Sequence, residues 1–417
     1  MSVIQVVGGR PLNGSLRIQG AKNSVLPILA ATLLVKGETV ITNCPNLSDV
    51  DAAIAILNHI GCKAGREGES VIVDSRTVTR ADVPHELMSE MRSSVIFMGA
   101  MLARMGEAKL SLPGGCELGP RPVDMHMSAL RALGAEIEET GGNIVGIAKK
   151  LTGCNVNFRF PSVGATENAM LAACGADGVT VITNAAREPE ICDLADFLRK
   201  LGMDVQGEGT PTIMVRGRPQ SAHIIHRIIP DRIVAATYLA AAAAAGGEVE
   251  LIGVNPEHVM SAIEIFREMG CHITESGDRL TVKSSGSLKP AKAIETQPYP
   301  GFPTDMQPPI MAAALKCAGT TVFVENIFEN RYRHAEEMRR LGADIKIEGR
   351  VAIVTGGKKL AGAPVKATDL RGGAALVVAA LWAEGITEVS GIAYIDRGYD
   401  NITGSLGKLG ASIERVL

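Results

Sequence analysis

The sequence predicts an α/β fold built from six copies of one unit, grouped as two sets of three with a cleft between the sets. Three observations carry this expectation. Six glycines that each follow a Leu, Ile or Met recur at a near-constant interval: Gly61, Gly134, Gly202, Gly270, Gly342 and Gly410 lie 73, 68, 68, 72 and 68 residues apart. Each closes an apolar-periodic stretch and precedes a strand-like one, as a left-handed helix C-cap does. Ahead of each such stretch lies another that is apolar nearly all round, such as 233–245 or 374–383. Helices of that kind belong in an interior.

Within a unit the elements follow in a fixed order. A hairpin-like stretch comes first, as at 3–20, 212–229 or 351–368, and the apolar helix follows it. A short β-branched strand is next (39–42, 321–324), then a loop and an amphipathic second helix that runs into the glycine. In the first unit Val50, Ile54, Leu57 and Ile60 recur at helical spacing. Such a unit is not the one-strand, one-helix repeat of a TIM barrel. At about 70 residues it is also too long for a solenoid repeat.

Composition narrows the function classes. The chain has 417 residues, 46% hydrophobic and 21% charged, with a net charge of -3. That supports a substantial core and argues against disorder. It gives no overall pull toward nucleic acid or an anionic membrane, so anion binding has to be local. One Trp, five Tyr and eight Phe are too few to build a base-stacking surface. The uncharged run at 233–247 is shorter than the roughly 20 residues of a membrane span, and no secretory leader is visible, so a cytoplasmic protein is expected. The eight cysteines never approach CxxC spacing, which implies neither a zinc site nor a disulfide framework. His223 and His226 make a poor metal pair, and the common nucleotide-phosphate, dinucleotide and zincin motifs are missing.

The charges follow the repeat. Aligned starts of the apolar helices carry Lys22, Arg92, Arg232 and Arg371. A cation at the positive end of a helix dipole is unfavourable, and an anion bound there would offset it. A second set, Arg121, Arg187, Arg331 and Arg397, occupies the loop before the second helix. Singly, each could pair with a neighbour such as Glu188, Glu329 or Asp396; jointly, the two sets favour an anion site. The loop 112–122 is longer than its equivalents and rich in Gly and Pro, which makes it a candidate lid. Cys116 on that loop is either an activated thiol near Arg121 or an ordinary surface cysteine. Asp305 stands at a helix start with no cation beside it in sequence; an acid facing a cationic cleft suits a general base, and the same position after Thr304 suits an N-cap.

Seven segments then point to one family. These are 20–23 (GAKN), the Pro-Gly-Gly-Cys loop running into 119–124 (GPRPVD), 162–166 (SVGAT), 300–307 (PGFPTDMQ), 329–331 (ENR), 368–371 (TDLR) and 395–399 (IDRGY). Together they resemble the UDP-N-acetylglucosamine 1-carboxyvinyltransferases over essentially the whole chain. The resemblance implies two inside-out α/β barrel domains, each of three βαβαββ-type repeats around a pseudo-threefold axis. It places the boundaries at 22–229 for one domain and 1–21 plus 230–417 for the other, whereas the repeat alone would cut near 210.

The implied reaction moves the enolpyruvyl group of phosphoenolpyruvate to the 3'-hydroxyl of UDP-N-acetylglucosamine, releasing phosphate in the first committed step of peptidoglycan synthesis. By resemblance, Lys22, Arg121 and Arg397 hold phosphoenolpyruvate, with Arg331 and Arg371 toward its carboxylate. Cys116 serves as general acid and fosfomycin target, Asp305 takes the hydroxyl proton, and Asn23 bonds the intermediate. Arg121, Pro122, Val123, Asp124 and Met125 line the uridine pocket. Ser162, Val163 and Gly164 offer amides to the diphosphate, Ile327 touches the sugar nucleotide, and Arg92 and Asp369 complete the substrate-binding set. The resemblance implies no metal, cofactor, nucleic-acid or membrane partner, and it fixes no oligomeric state. Two positions depart from the pattern: Phe160 stands where some members have lysine, leaving Arg159 as the nearest cation, and Val234 stands where an acid is expected. The shikimate-pathway enolpyruvyl transferase is the nearest rival, but it typically has Ser-Lys-Ser at the first helix and lacks the lid cysteine. A catalytically dead repeat scaffold is the other alternative, though Lys22, Cys116, Asp305 and Arg397 all stand.

Overall fold

A computed structural model describes residues 2–91, 93–111, 123–217 and 223–416. All six repeat glycines take left-handed backbone, with φ between 91° and 108°. They follow the helices Ser48–Ile60, Asp124–Ala132, Pro189–Lys200, Pro256–Glu268, Arg333–Arg340 and Ile402–Lys408. A residue lacking Cβ reaches this conformation without clashing with the following carbonyl. Each chain reversal therefore falls where the repeat put it, and a strand follows every one.

The expected apolar helices are Lys22–Ala31, Phe97–Met105, Val163–Ala173, Arg232–Ala245, Gln307–Ala314 and Leu370–Ala380. Arg232–Ala245 is buried continuously from Arg232 to Ala244, and Leu370–Ala380 from Arg371 onward. Alanine and glycine let these helices approach closely. The amide of Gly99 donates to Asn168 Oδ1 at 2.6 Å, and a Cβ at Gly99 would lie 2.3 Å from the Asn168 carbonyl oxygen.

Six four-stranded sheets cover the helices, and all six share one pattern. In Asn155–Asn157, Val179–Thr183, Thr212–Arg216 and Asp204–Gln206 the first pair is parallel and the others antiparallel. The parallel pair requires a crossover, and Val163–Ala173 supplies it. The strands alternate buried and more exposed residues, as in Val351–Thr355, so one face lies on the helices and the other is more open. Helices inside and sheets outside make the fold an inside-out α/β architecture.

The stretches read as hairpins are not hairpins. Val3–Val7 pairs with Ile386–Ser390 and Ser412–Val416, whereas Leu12–Arg17 pairs with Gly247–Ile252. Thr212–Arg216 and Ile224–Arg227 likewise lie in different sheets, as do Val351–Thr355 and Pro364–Lys366. Each stretch is a crossover that carries the chain from one sheet to the next. Alternating apolar residues record that a strand has a buried face, but not which neighbour completes its ladder.

The chain forms two compact units, one from the described residues between 20 and 229, the other from 2–19 with 230–416. Each has its own hydrophobic core and three of the six sheets. Strands near the unit boundaries complete one sheet in each unit. Ile224–Arg227 is the first strand of the sheet containing Glu38–Thr42, and Leu12–Arg17 is the first strand of the sheet containing Gly247–Ile252.

Gly270 has φ 96°, and the space a Cβ would enter there holds no atom within 4 Å, so Gly270→Ala isolates the cost of the left-handed cap. The expected destabilisation is about 1–2 kcal/mol with little change in m-value, read from urea unfolding.

Candidate active site

In the unit formed by 2–19 and 230–416, three of the expected residues meet. Asp305 sits in the short 3-10 turn Thr304–Met306 that leads into Gln307–Ala314. Its Oδ1 accepts from Arg331 Nη2 at 2.9 Å, and its Oδ2 lies 3.5 Å from Arg371 Nε. The side chains of both arginines are 2% exposed and that of Asp305 is 29% exposed. Asp305 therefore has two cations beside it, in keeping with an acid that faces cationic groups, and the N-cap of its turn is Pro303. The cations arrive from distant segments, which a local reading of 303–305 could not register.

Arg331 also donates through Nε and Nη2 to the Thr304 carbonyl, at 3.1 and 2.9 Å. It therefore grips the Asp305 turn instead of pairing with Glu329. Arg371 lies in the first turn of Leu370–Ala380, where Asp369 accepts from the amides of Arg371 and Gly372. Its guanidinium carbon stands 5.5 Å from the Tyr399 ring centroid. Desolvation works to lower its proton affinity, but Tyr399, Asp305 and Asp231 together raise it. Among the described residues no acceptor meets Arg371 Nε or Nη1 within hydrogen-bond geometry. A buried guanidinium with donors to spare is suited to an anionic ligand. Beside it, His334 Nδ1 bonds the Arg331 carbonyl at 3.0 Å, and burial lowers this imidazole to about 4. Arg397 is half-buried, and its neighbour Asp396 is paired with Arg415.

In the unit between 20 and 229, Lys22 opens its helix with no side-chain cap. Its Nζ lies 2.8 Å from Asp49 Oδ2, and the carboxylate is 2% exposed. Asp49, which sequence reasoning did not single out, thus meets part of the electrostatic cost assigned to a bound anion. Asp231, ahead of Arg232, does similar work by capping its helix through the amides of Ile233 and Val234.

Ser162 caps the helix Val163–Ala173, accepting from the Ala165 amide at 3.4 Å. Close beside Gly164 lies His126, whose Cε1 would be 3.0 Å from a Cβ at that glycine. His126 Nδ1 is 3.1 Å from Asn168 Nδ2, and burial lowers the ring to about 4. Asp124, two residues earlier, pairs with Arg159 at 2.5 Å, while Phe160 is 40% exposed. The segment Val123–Met125 and the helix start at Ser162–Gly164 are thereby neighbours. Deeper along that helix, burial holds the Glu167 carboxyl well above its ordinary range, and Glu190 and Glu188 add to the effect.

Ile327 lies in the loop before Arg331, and Asn23 is half-buried in the first turn after Lys22. Arg92, Cys116, Arg121, Pro122 and the lid loop 112–122 lie outside the described residues. Among the described residues no group of three His, Cys, Asp or Glu side chains could hold a metal ion. No helix there is long and apolar enough to cross a membrane.

Comparisons with known proteins show the family. The family model for EPSP synthase (3-phosphoshikimate 1-carboxyvinyltransferase) matches residues 6–406. The chain is 48% identical over 417 residues to UDP-N-acetylglucosamine 1-carboxyvinyltransferase 2 of Caldanaerobacter subterraneus subsp. tengcongensis, covering 100% of both chains. It is 46% identical to the UDP-N-acetylglucosamine 1-carboxyvinyltransferase of Clostridium botulinum, again over 100% of each. Among solved structures, an enolpyruvyl transferase from Streptomyces tendae superposes with a TM-score of 0.90 at 25% identity, covering 100% of this chain and 99% of that one. The fold and the full-length similarity are those of a carboxyvinyl-transferring enzyme. The chain belongs to the EPSP synthase family of enolpyruvyl transferases.

The two buried imidazoles set a pH dependence. Their folded values of about 4 lie below the ordinary 6.5, so between these limits the unfolded chain binds more protons. Stability is therefore full above about pH 6.5 and is lost as pH falls toward 4, by on the order of 1–3 kcal/mol per histidine. Urea unfolding at pH 7.5, 5.5 and 4.5 should show this slope, and His126→Gln should flatten part of it.

Proposed function

We propose that this enzyme transfers the enolpyruvyl group of phosphoenolpyruvate to the 3'-hydroxyl of UDP-N-acetylglucosamine. The sugar oxygen bonds to C2 of phosphoenolpyruvate while a proton reaches the methylene carbon, giving a tetrahedral intermediate. Loss of a methyl proton and cleavage of the bond from C2 to the phosphate oxygen then yield the enol ether and inorganic phosphate. The product commits sugar nucleotide to peptidoglycan, and the same reading puts the enzyme in the cytoplasm. The observation that carries the acceptor is full-length identity of 46–48% to transferases named for UDP-N-acetylglucosamine.

The residue roles follow from the resemblance and the local geometry. Asp305 receives the hydroxyl proton, and its Oδ2 stands outside the Arg331 hydrogen bond. Arg371 faces the phosphoenolpyruvate carboxylate with its spare donors, and Arg331 supports it by fixing the Asp305 turn. Lys22, Arg121 and Arg397 hold the phosphate side, and Asn23 bonds the intermediate. Cys116 delivers the proton to the methylene carbon. Val123, Asp124 and Met125, with Arg121 and Pro122, serve the uridine end. Ser162, Val163 and Gly164 serve the diphosphate, and Ile327 the sugar nucleotide. Arg92 and Asp369 complete the set. The domains we take as 22–229 and 1–21 with 230–417, supported by the two separate cores.

The description of the family model favours a second acceptor, shikimate 3-phosphate. Phosphate release separates the two readings. Turnover of phosphoenolpyruvate is expected with UDP-N-acetylglucosamine and not with shikimate 3-phosphate, and the reverse pattern overturns the assignment.

Cys116→Asp is expected to keep part of the activity, because a carboxyl also donates a proton. It should escape fosfomycin, since the thiol is the group alkylated. Intact-mass measurement after incubation with fosfomycin checks this, and a persisting covalent adduct counts against the role.

A further inference from the structure

Glu325 follows the strand Thr320–Val324 and is 1% exposed. Four donors converge on its carboxylate. Oε1 accepts from Thr296 Oγ1 at 3.0 Å, from the Ile327 amide at 2.8 Å and from the Phe328 amide at 3.0 Å. Oε2 accepts from Thr304 Oγ1 at 3.0 Å. Thr296 adds to the tie, taking the Asn326 amide on its hydroxyl at 2.8 Å and Asn326 Nδ2 on its carbonyl at 3.2 Å.

One buried anion thus joins three separate segments. Thr304 is the residue before Asp305, and Ile327 and Phe328 form the loop that leads to Arg331. Arg331 closes the circuit from the other side, holding the Thr304 carbonyl and Asp305 Oδ1 together. The Asp305 turn is therefore fixed at its side chain, its carbonyl and the preceding hydroxyl. A buried carboxylate is costly unless its acceptor sites are satisfied. Here the bonds from Thr304, Ile327 and Phe328 come from segments that carry expected site residues.

We propose that Glu325 is a positioning residue for the transfer reaction. It sets Asp305 through Thr304, and it sets the sugar-nucleotide contact through the Ile327 and Phe328 amides. This rests on the reading of Asp305 as the base and Ile327 as a sugar-nucleotide contact. The two oxygens divide the work. Oε2 governs the chemical step, and Oε1 governs binding.

The division predicts which substitutions are tolerated. Glutamine can keep its oxygen at the Oε1 site and turn its amide toward Thr304, whose hydroxyl then accepts instead of donating. Alanine abandons all four donors. Thr304→Val removes only the Oε2 tie and conserves volume.

Steady-state phosphate release by the full chain, with phosphoenolpyruvate and UDP-N-acetylglucosamine varied in turn, tests the role. Thr304→Val should lower kcat roughly 10- to 100-fold, the range of one charge-assisted hydrogen bond, with KM for the sugar nucleotide unchanged. Thr296→Val should raise that KM and leave kcat in place. Glu325→Gln, which keeps the geometry but loses the charge assistance, should fall between wild type and Thr304→Val in kcat, while Glu325→Ala should lose kcat by about 100-fold and raise KM as well. If Glu325→Ala does not fold, the threonine variants and Glu325→Gln still decide. Asp305→Asn is the control. If it is inactive while Thr304→Val matches wild type, Glu325 is structural only and the proposal fails alone. If Asp305→Asn is fully active, the reading of Asp305 as base fails and takes the proposal with it.

Discussion

Six helices with almost no polar face dictate where chemistry can happen in this protein. Their flanks are sealed by one another and by the sheets, so a polar group on a flank would lie in an apolar core. Helix ends and the loops leading into the second helices carry charge at the least penalty, and Glu167, deep along its helix, answers burial with a raised proton affinity. Lys22, Ser162, Asp231, Asp305, Asp369 and Arg371 all stand at or beside core-helix starts. Arg331 and Arg397 stand in the loops before second helices. The preference of these charges for helix starts and loops is a consequence of packing before it is a matter of catalysis.

The same packing makes the ions expensive. Arg331 and Arg371 are withdrawn from water, and a buried charge is tolerated only when partners meet it. The protein supplies partners unevenly. Arg331 is bound to Thr304 and Asp305, whereas Arg371 keeps donors that no described acceptor satisfies. An arginine held this way is a poor stabiliser. Its desolvation cost is incurred during folding and is only partly offset by Asp305, 3.5 Å from its Nε. The aspartates at 231 and 369 play a different part, because as helix caps they accept backbone amides while lowering the local potential.

Much of this was legible in the sequence because the signals are local. A glycine after an apolar-periodic run marks a left-handed cap wherever it occurs, and helices without a polar face announce their burial. What failed was whatever depends on partners far along the chain. The stretch 3–20 looked like a hairpin because two short alternating runs lie near one another, yet its strands complete sheets that also hold Ile386–Ser390 and Gly247–Ile252. Which cations meet Asp305 could not be read locally, because they lie 26 and 66 positions away, at Arg331 and Arg371. Asp49 and Glu325 look like an ordinary helix-start acid and an ordinary strand-end acid. Only the fold shows that one meets Lys22 and the other gathers four donors.

The architecture alone does not choose the acceptor. An enolpyruvyl transferase only 25% identical shares it with a TM-score of 0.90, so the scaffold tolerates wide change in its side chains. On the proposed reading, the buried ions around Asp305 serve the steps common to any enolpyruvyl transfer, which are binding a carboxylate and removing a hydroxyl proton. Discrimination between a sugar nucleotide and a smaller phosphorylated acceptor then has to come from groups with no part in that chemistry. The cap at Ser162, the neutral His126 packed on Gly164, and the Asp124–Arg159 pair have this character, since all three shape a helix start and its approach. Backbone amides at a helix start suit a diphosphate because they can be spread over several oxygens without introducing a further buried cation. A single phosphate needs no such row of donors.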